Sequence, residues 1–169
     1  MTSIKVIYED PDFLILDKPA FLLVHKTDRR KLGQKTLVDW LLINYPEVSG
    51  VGDDPDLRPG IVHRLDQETS GVMIIVKNNN AFHYLKNLFS THEVKKTYLT
   101  LVLGLIKEKK GVIDKPIGLK SGSTKRTPNI KRAKLVKEAK TAYETLKLFE
   151  FRGYYFSLIK VEPLTGRTH

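Results

Sequence analysis

The near-continuous apolar run Val72-Met73-Ile74-Ile75-Val76 sets the strongest condition on the fold. Five apolar residues in succession predict a strand buried on both faces, which requires other layers to pack against it. Short apolar segments recur along the rest of the chain. Residues 4–8 and 13–16, split by the turn sequence Glu9-Asp10-Pro11-Asp12, read as a strand pair. Residues 97–103, 141–148 and 154–162 read as three more strands, the last two joined through Phe151-Arg152-Gly153. Helical signals are fewer. Thr36 is placed to cap a helix through Leu37, Trp40, Leu41 and Asn44 that stops before Pro46. Asn78-Asn79-Asn80 can cap a second helix, with Ala81, Tyr84, Leu85, Leu88 and Phe89 on one face. Residues 46–60, with three prolines and three glycines, read as an exposed loop, and residues 118–127 as a mobile one. No internal repeat is visible. Many strands with few helices predict an α+β fold with a largely antiparallel, mixed sheet flanked by helices and loops.

A chain of 169 residues can bury roughly 70% of its unfolded surface, so it needs no disulfide or metal staple. It contains no cysteine, which excludes a disulfide framework, a cysteine nucleophile and thiolate metal sites. No apolar run approaches the roughly 18 residues of a membrane span, and the N-terminus enters a strand pattern with no signal-peptide core. A cytoplasmic monomer without membrane contact is the expectation. Charge is more telling. The formal net charge is +10, and residues 107–140 hold twelve Lys/Arg against three Asp/Glu. The other 135 residues together carry a net +1. A localised block of this density marks a surface for a polyanion, and without a long apolar helical face nucleic acid is favoured over a membrane.

Residues 59–76 concentrate reactive groups. A Pro/Gly loop delivers His63, Arg64 and Asp66 within four residues, and a Thr-Ser-Gly turn leads into the apolar run. In an extended segment Arg64 and Asp66 share one face, leaving His63 and Leu65 for the other. Leu65 could then anchor to the core while Arg64 and Asp66 face a cleft. Thr69 and Ser70 can satisfy backbone donors in the turn. Residue types alone leave other readings open. Arg64 and Asp66 could be a surface ion pair worth under about 1 kcal/mol, and His63 a hydrogen-bonded structural histidine. His63 and Asp66 could also be half of a metal site, but no companion cluster completes one.

His63-Arg64-Leu65-Asp66-Gln67-Glu68-Thr69-Ser70-Gly71 resembles the HRLDxxTSG signature of the RluA-type pseudouridine synthases, which isomerise uridine to pseudouridine in ribosomal or transfer RNA. Further blocks follow in the family's order. Asp17-Lys18-Pro19 with Leu23-Val24-His25 is similar to its NKPxGxxVH stretch, with Asp for Asn and Ala20-Phe21 in place of the usual small-Gly pair. Lys95-Lys96-Thr97-Tyr98 is similar to its KxY strand, and Lys137-Glu138-Ala139-Lys140-Thr141-Ala142-Tyr143 to its KxAxTxY strand. Gly166-Arg167-Thr168-His169 looks like the opening of its GRTHQIRVH motif.

The resemblance implies the pseudouridine synthase fold and assigns roles. Asp66 would be the essential catalytic aspartate, ionised at neutral pH and therefore expected beside a positive partner. It would act by attack on sugar or base, or by proton abstraction at the sugar. Arg64 would fill the gap left by the flipped nucleotide, and Tyr98 would stack on the target base. His63 is structural first and catalytic second, while Leu65, Thr69, Ser70 and Gly71 shape the turn that aims Asp66. The chain reads as the N-terminal and central part of the catalytic domain, with no S4-type module ahead of it. Its C-terminal end is expected to be missing, together with the arginine that pairs with the catalytic aspartate, a role that Arg167 does not take. RNA would then be held by the domain itself, with Lys120, Lys125, Arg126, Lys131, Arg132 and Lys134 as candidates. No metal or organic cofactor is implied. The competing reading is a non-catalytic RNA-binding protein on the same scaffold.

Overall fold

The computed structural model describes residues 4–26, 33–123 and 125–166. The chain forms two compact units, one up to Thr91 and the other from His92. In the first, β1 (Lys5–Glu9), β2 (Phe13–Lys18) and β3 (Gly71–Val76) form an antiparallel sheet with β2 in the centre. The β1–β2 turn is held by Asp10, whose Oδ1 accepts the N–H groups of Asp12 and Phe13, both at 2.8 Å. Helix α1 (Leu37–Asn44) starts at Thr36 with a capping box: the Thr36 hydroxyl accepts the Asp39 N–H, and the Asp39 carboxylate accepts the Thr36 N–H. Helix α2 (Asn79–Ser90) starts at Asn78, whose Oδ1 accepts the Ala81 N–H at 2.9 Å. Both caps stand where the sequence predicts them.

The core of this unit comes from one face of β2 and β3 together with α1 and two irregular segments. Leu14, Leu16, Met73 and Ile75 are fully buried with Leu37 and Leu41. Residues 46–60 are not simply an exposed loop. After a 3₁₀ turn at Pro46–Val48 they bury Val48, Val51 and Pro59, and they run on to Gly60 beside β3. Cover on the second face of β3 increases along the strand: Val72 is exposed, Ile74 half-buried and Val76 buried. The expectation of burial on both faces thus holds only at the C-terminal end, where Val76 packs with Val51 and with Phe82 of α2. The buried residue of α2 is Phe82, whereas Tyr84 is 66% exposed. Phe82, Leu85 and Phe89 lie three and four residues apart, a stripe that Tyr84 stands outside.

The second unit is built from antiparallel pairs in two sheets. Strands β4 (Tyr98–Leu103), β5 (Lys110–Asp114), β9 (Lys140–Phe151) and β10 (Tyr154–Pro163) form one, in the order β4-β10-β9-β5. Strands β6 (Ile117–Lys120), β7 (Arg126–Thr127) and β8 (Ala133–Lys137) form the other, in the order β7-β6-β8. Residues 118–127 are therefore not a loop throughout. Their Ser-Gly content forms only the reversal between β6 and β7, where Lys120 N–H donates to Lys125 O at 2.9 Å. The fold is α+β with antiparallel strand pairing, as expected, divided among three sheets.

Gly60 joins the loop to the sheet. Its N–H donates to Val51 O at 2.9 Å and its carbonyl accepts the Val76 N–H at 3.0 Å. Its φ is +69°, and an added Cβ would stand 2.7 Å from the Val76 carbonyl oxygen. Gly60→Ala is expected to lower the unfolding free energy by about 2–3 kcal/mol, measured by urea titration. An unchanged midpoint would show that the loop can shift without cost.

Candidate active site

The segment between Gly60 and β3 follows the open edge of β3. Ile61 bridges antiparallel to Ile75, and beyond it the Ile74 N–H donates to His63 Nε2 at 3.0 Å. His63 thus supplies the acceptor that a neighbouring strand would have offered. Its ring also stacks on Phe89 of α2, with centroids 4.6 Å apart. Both contacts fit the structural reading of His63. Past it the exposure alternates: Arg64 exposed, Leu65 buried, Asp66 exposed. Leu65 is thus the anchor, and it turns its two charged neighbours outward as the alternation predicts.

Asp66 opens a tight turn closed by Thr69 N–H donating to Asp66 O at 3.1 Å, a backbone bond where the sequence suggested side-chain partners. Ser70 is exposed and Thr69 half-buried. Gly71 ends the turn with φ at +132°, outside the range a side chain tolerates, and there pairs with Lys18 of β2. The motif is therefore held at its middle by Leu65 and at its end by the β2–β3 register.

The strongest constraint on the turn comes from Lys18. The β2 alternation that buries Leu14 and Leu16 buries Lys18 as well, with no exposed surface. Its ammonium donates to Pro19 O at 2.9 Å, Leu22 O at 2.9 Å and Gln67 O at 3.2 Å. Three hydrogens meet three carbonyls, which satisfies the charged group without a paired carboxylate. Burial pushes the Lys18 pKa below its ordinary value, and the nearby charges of Glu68 and Asp66 pull the other way. The Lys18 ammonium is bonded to carbonyl oxygens and not to either carboxylate. The sequence placed Lys18 in a motif but gave it no role. The signal was its period-two spacing from Leu14 and Leu16.

His25, from the same early motif, is 8% exposed, and its buried Nδ1 has no hydrogen-bond partner. Burial holds its pKa below the usual value, helped by the charges of Arg64 and then Arg58, and opposed by Asp54. Tyr98 belongs to the other unit. It opens β4 opposite Val161, half-buried on the face it shares with Thr100 and Val102, whereas Leu99, Leu101 and Leu103 are exposed on the opposite face. The side on which Tyr98 stands is thus the better covered one, even though the leucines stand opposite. Arg167, Thr168 and His169 lie outside the described residues. Among the described residues no group of His and carboxylate side chains could hold a metal ion.

The basic candidates gather on the β7-β6-β8 sheet and its connections. Arg126 and Lys134 are both register partners of Leu119, so the three share one face. Lys120 follows Leu119 and points to the other face. Lys125 is exposed in the β6–β7 reversal, and Lys131 and Arg132 lie on the 3₁₀ turn Ile130–Arg132.

Comparison with known proteins gives this geometry a context. The profile of the RNA pseudouridylate synthase family matches residues 12–169. An uncharacterized RNA pseudouridine synthase of Aquifex aeolicus is 43% identical over 166 residues, covering 98% of this chain and 50% of the relative. Ribosomal large subunit pseudouridine synthase D of Nitrosomonas europaea is 37% identical over 166 residues, covering 98% of this chain and 44% of the relative. The chain spans about half the length of these relatives. The solved structure of human RNA pseudouridylate synthase domain containing 1 superposes with a TM-score of 0.78 at 26% identity, over 99% of this chain and 62% of that one.

Lys18→Met keeps an unbranched side chain, one atom shorter, but removes all three donors. The expected result is a loss of about 3 kcal/mol in unfolding free energy, since each stranded carbonyl costs about 1–3 kcal/mol and relief of ammonium burial offsets part. Urea unfolding measures it, and a variant as stable as the parent would show that the carbonyls find other donors.

Proposed function

Because the chain belongs to the RNA pseudouridylate synthase family, whose profile spans residues 12–169, we propose that it carries the catalytic centre of an enzyme converting uridine to pseudouridine in RNA. The observation that supports this most directly is Asp66, exposed at the head of a turn that Leu65 anchors and the buried Lys18 ammonium holds. The reaction is an isomerisation. The C1′–N1 glycosidic bond breaks, the base rotates, C1′ joins C5, and the hydrogen lost from C5 is balanced by one gained at N1. No group is added and no electron leaves, so no cofactor is called for. Asp66 supplies the carboxylate, either as nucleophile or as base.

The target uridine must leave its stack, at a cost of a few kcal/mol. Arg64, exposed beside Asp66, is the planar cation that occupies the vacated space, and Tyr98 is the ring that packs on the flipped base. Arg126 and Lys134, on one face of the β7-β6-β8 sheet, hold phosphates. The substrate is large-subunit ribosomal RNA, the target in the printed names of two relatives, with transfer RNA as the alternative. The enzyme acts in the cytoplasm as a monomer. No helix among the described residues is long and apolar enough to cross a membrane.

Two outcomes test the reading. Pseudouridine mapping of ribosomal and transfer RNA from cells with and without the gene should show at least one uridine that loses the modification. Wild-type protein should restore it and Asp66→Asn should not, while binding RNA within about twofold of the parent. Restoration by Asp66→Asn would remove the catalytic assignment, and loss confined to transfer RNA would change the substrate. In binding titrations against salt, Arg126→Ala with Lys134→Ala should flatten the slope by about 1.4, at about 0.7 per phosphate contact. Lys120→Ala, on the other face, should leave the slope alone, and equal effects would place the RNA across both faces.

A further inference from the structure

Phe21 has an unusual conformation for its type. Its φ is +67°, in the left-handed region where a side chain costs roughly 1–2 kcal/mol. Its ring is 75% exposed, so packing does not recover that cost. Glycine would fit the position without strain. A strained, bulky and uncovered aromatic residue is the kind of feature a fold keeps for contact with something else.

Its surroundings say what that is. Phe21 lies in the loop whose carbonyls at Pro19 and Leu22 are held by Lys18, the same ammonium that holds the Asp66 turn through Gln67 O. The Gln67 side-chain amide also donates to Phe21 O at 3.4 Å. Phe21 is thus fixed beside the turn that carries Asp66. Its ring borders a cavity of about 770 Å³ whose lining includes Trp40, Ile43, Lys26, Lys35 and Asp39. Two aromatic rings beside a carboxylate already bound by Lys26 and the α1 cap suit a flat uncharged ring. Ile43 is 80% exposed and extends the apolar floor.

We propose that Phe21 stacks on an unpaired base next to the uridine presented to Asp66, with Trp40 lining the same subsite. This rests on the RNA reading of the active site. Stacking on an aromatic side chain tolerates any base, so the subsite favours a single-stranded or looped neighbour over a particular nucleotide. The strain at Phe21 is then offset only when RNA is bound.

Trp40 is the sole tryptophan of the chain and serves as the reporter. A fluorescein-labelled oligouridylate is titrated into the protein while Trp40 emission and probe anisotropy are read from the same samples. Saturable quenching is expected for the parent and for Phe21→Tyr. For Phe21→Ala the midpoint should rise by between about fivefold and 150-fold. Phe21→Gly should weaken binding likewise while raising the melting temperature, because it loses both ring and strain. A Phe21→Ala midpoint equal to the parent's would overturn the proposal, as would anisotropy showing bound RNA with no change in Trp40 emission. No rise in anisotropy for the parent would instead overturn the RNA reading on which the proposal stands.

Discussion

A buried ammonium organises the first unit. Lys18 stands third in a row of inward residues after Leu14 and Leu16, where the pattern would place another aliphatic side chain. An unpaired charge there would be far too costly, so the chain must surround it with oxygen. It does so with backbone carbonyls from two segments that have no regular structure of their own. Neither segment has a ladder to fix its path. The ammonium replaces one, and the exposed carboxylate of Asp66 gains its position from a neighbour it does not touch.

The open edge of β3 shows a similar substitution. Gly60 and Ile61 pair with it as a strand would, and then the backbone departs and the His63 imidazole takes over. That departure frees Arg64 and Asp66 from the sheet while keeping Leu65 in the core. A regular strand here would have tied up the backbone of the motif in a ladder. The departure spares that backbone, while the alternation around Leu65 keeps both charged groups on one exposed side.

What the sequence made legible was local. Asp10, Thr36 and Asn78 announced their turn and caps because each bonds to backbone within three residues. The alternation around Leu65 was equally readable, and so was the division of His63 from Asp66. Strands β5 and β8 were not, because Lys110–Asp114 and Ala133–Lys137 look like polar, basic chain until their partners are known. In β5 the register sets Lys110 against Glu144 and Asp114 against Lys140, and the side chains form ion pairs at 3.4 and 2.8 Å. The burial gradient along β3 and the choice of Phe82 over Tyr84 likewise depend on α2 covering only one end of the strand. At the site, Lys18 and Phe21 belong to the segment from Asp17 to His25, but their importance lies in burial in one case and backbone angle in the other.

The bond from Lys18 to Gln67 joins residues 49 positions apart. Closing a loop of that length costs about 3 kcal/mol in chain entropy, which only a completed hydrophobic core can offset. Positive charge needs no such closure, because the lysines and arginines of residues 107–140 keep it in any conformation. The charge excess is therefore written into composition, while the placement of Asp66 is written into the folded state. A denatured copy of this protein would keep its whole excess of positive charge and lose the placement of Asp66, so the two properties part company on unfolding.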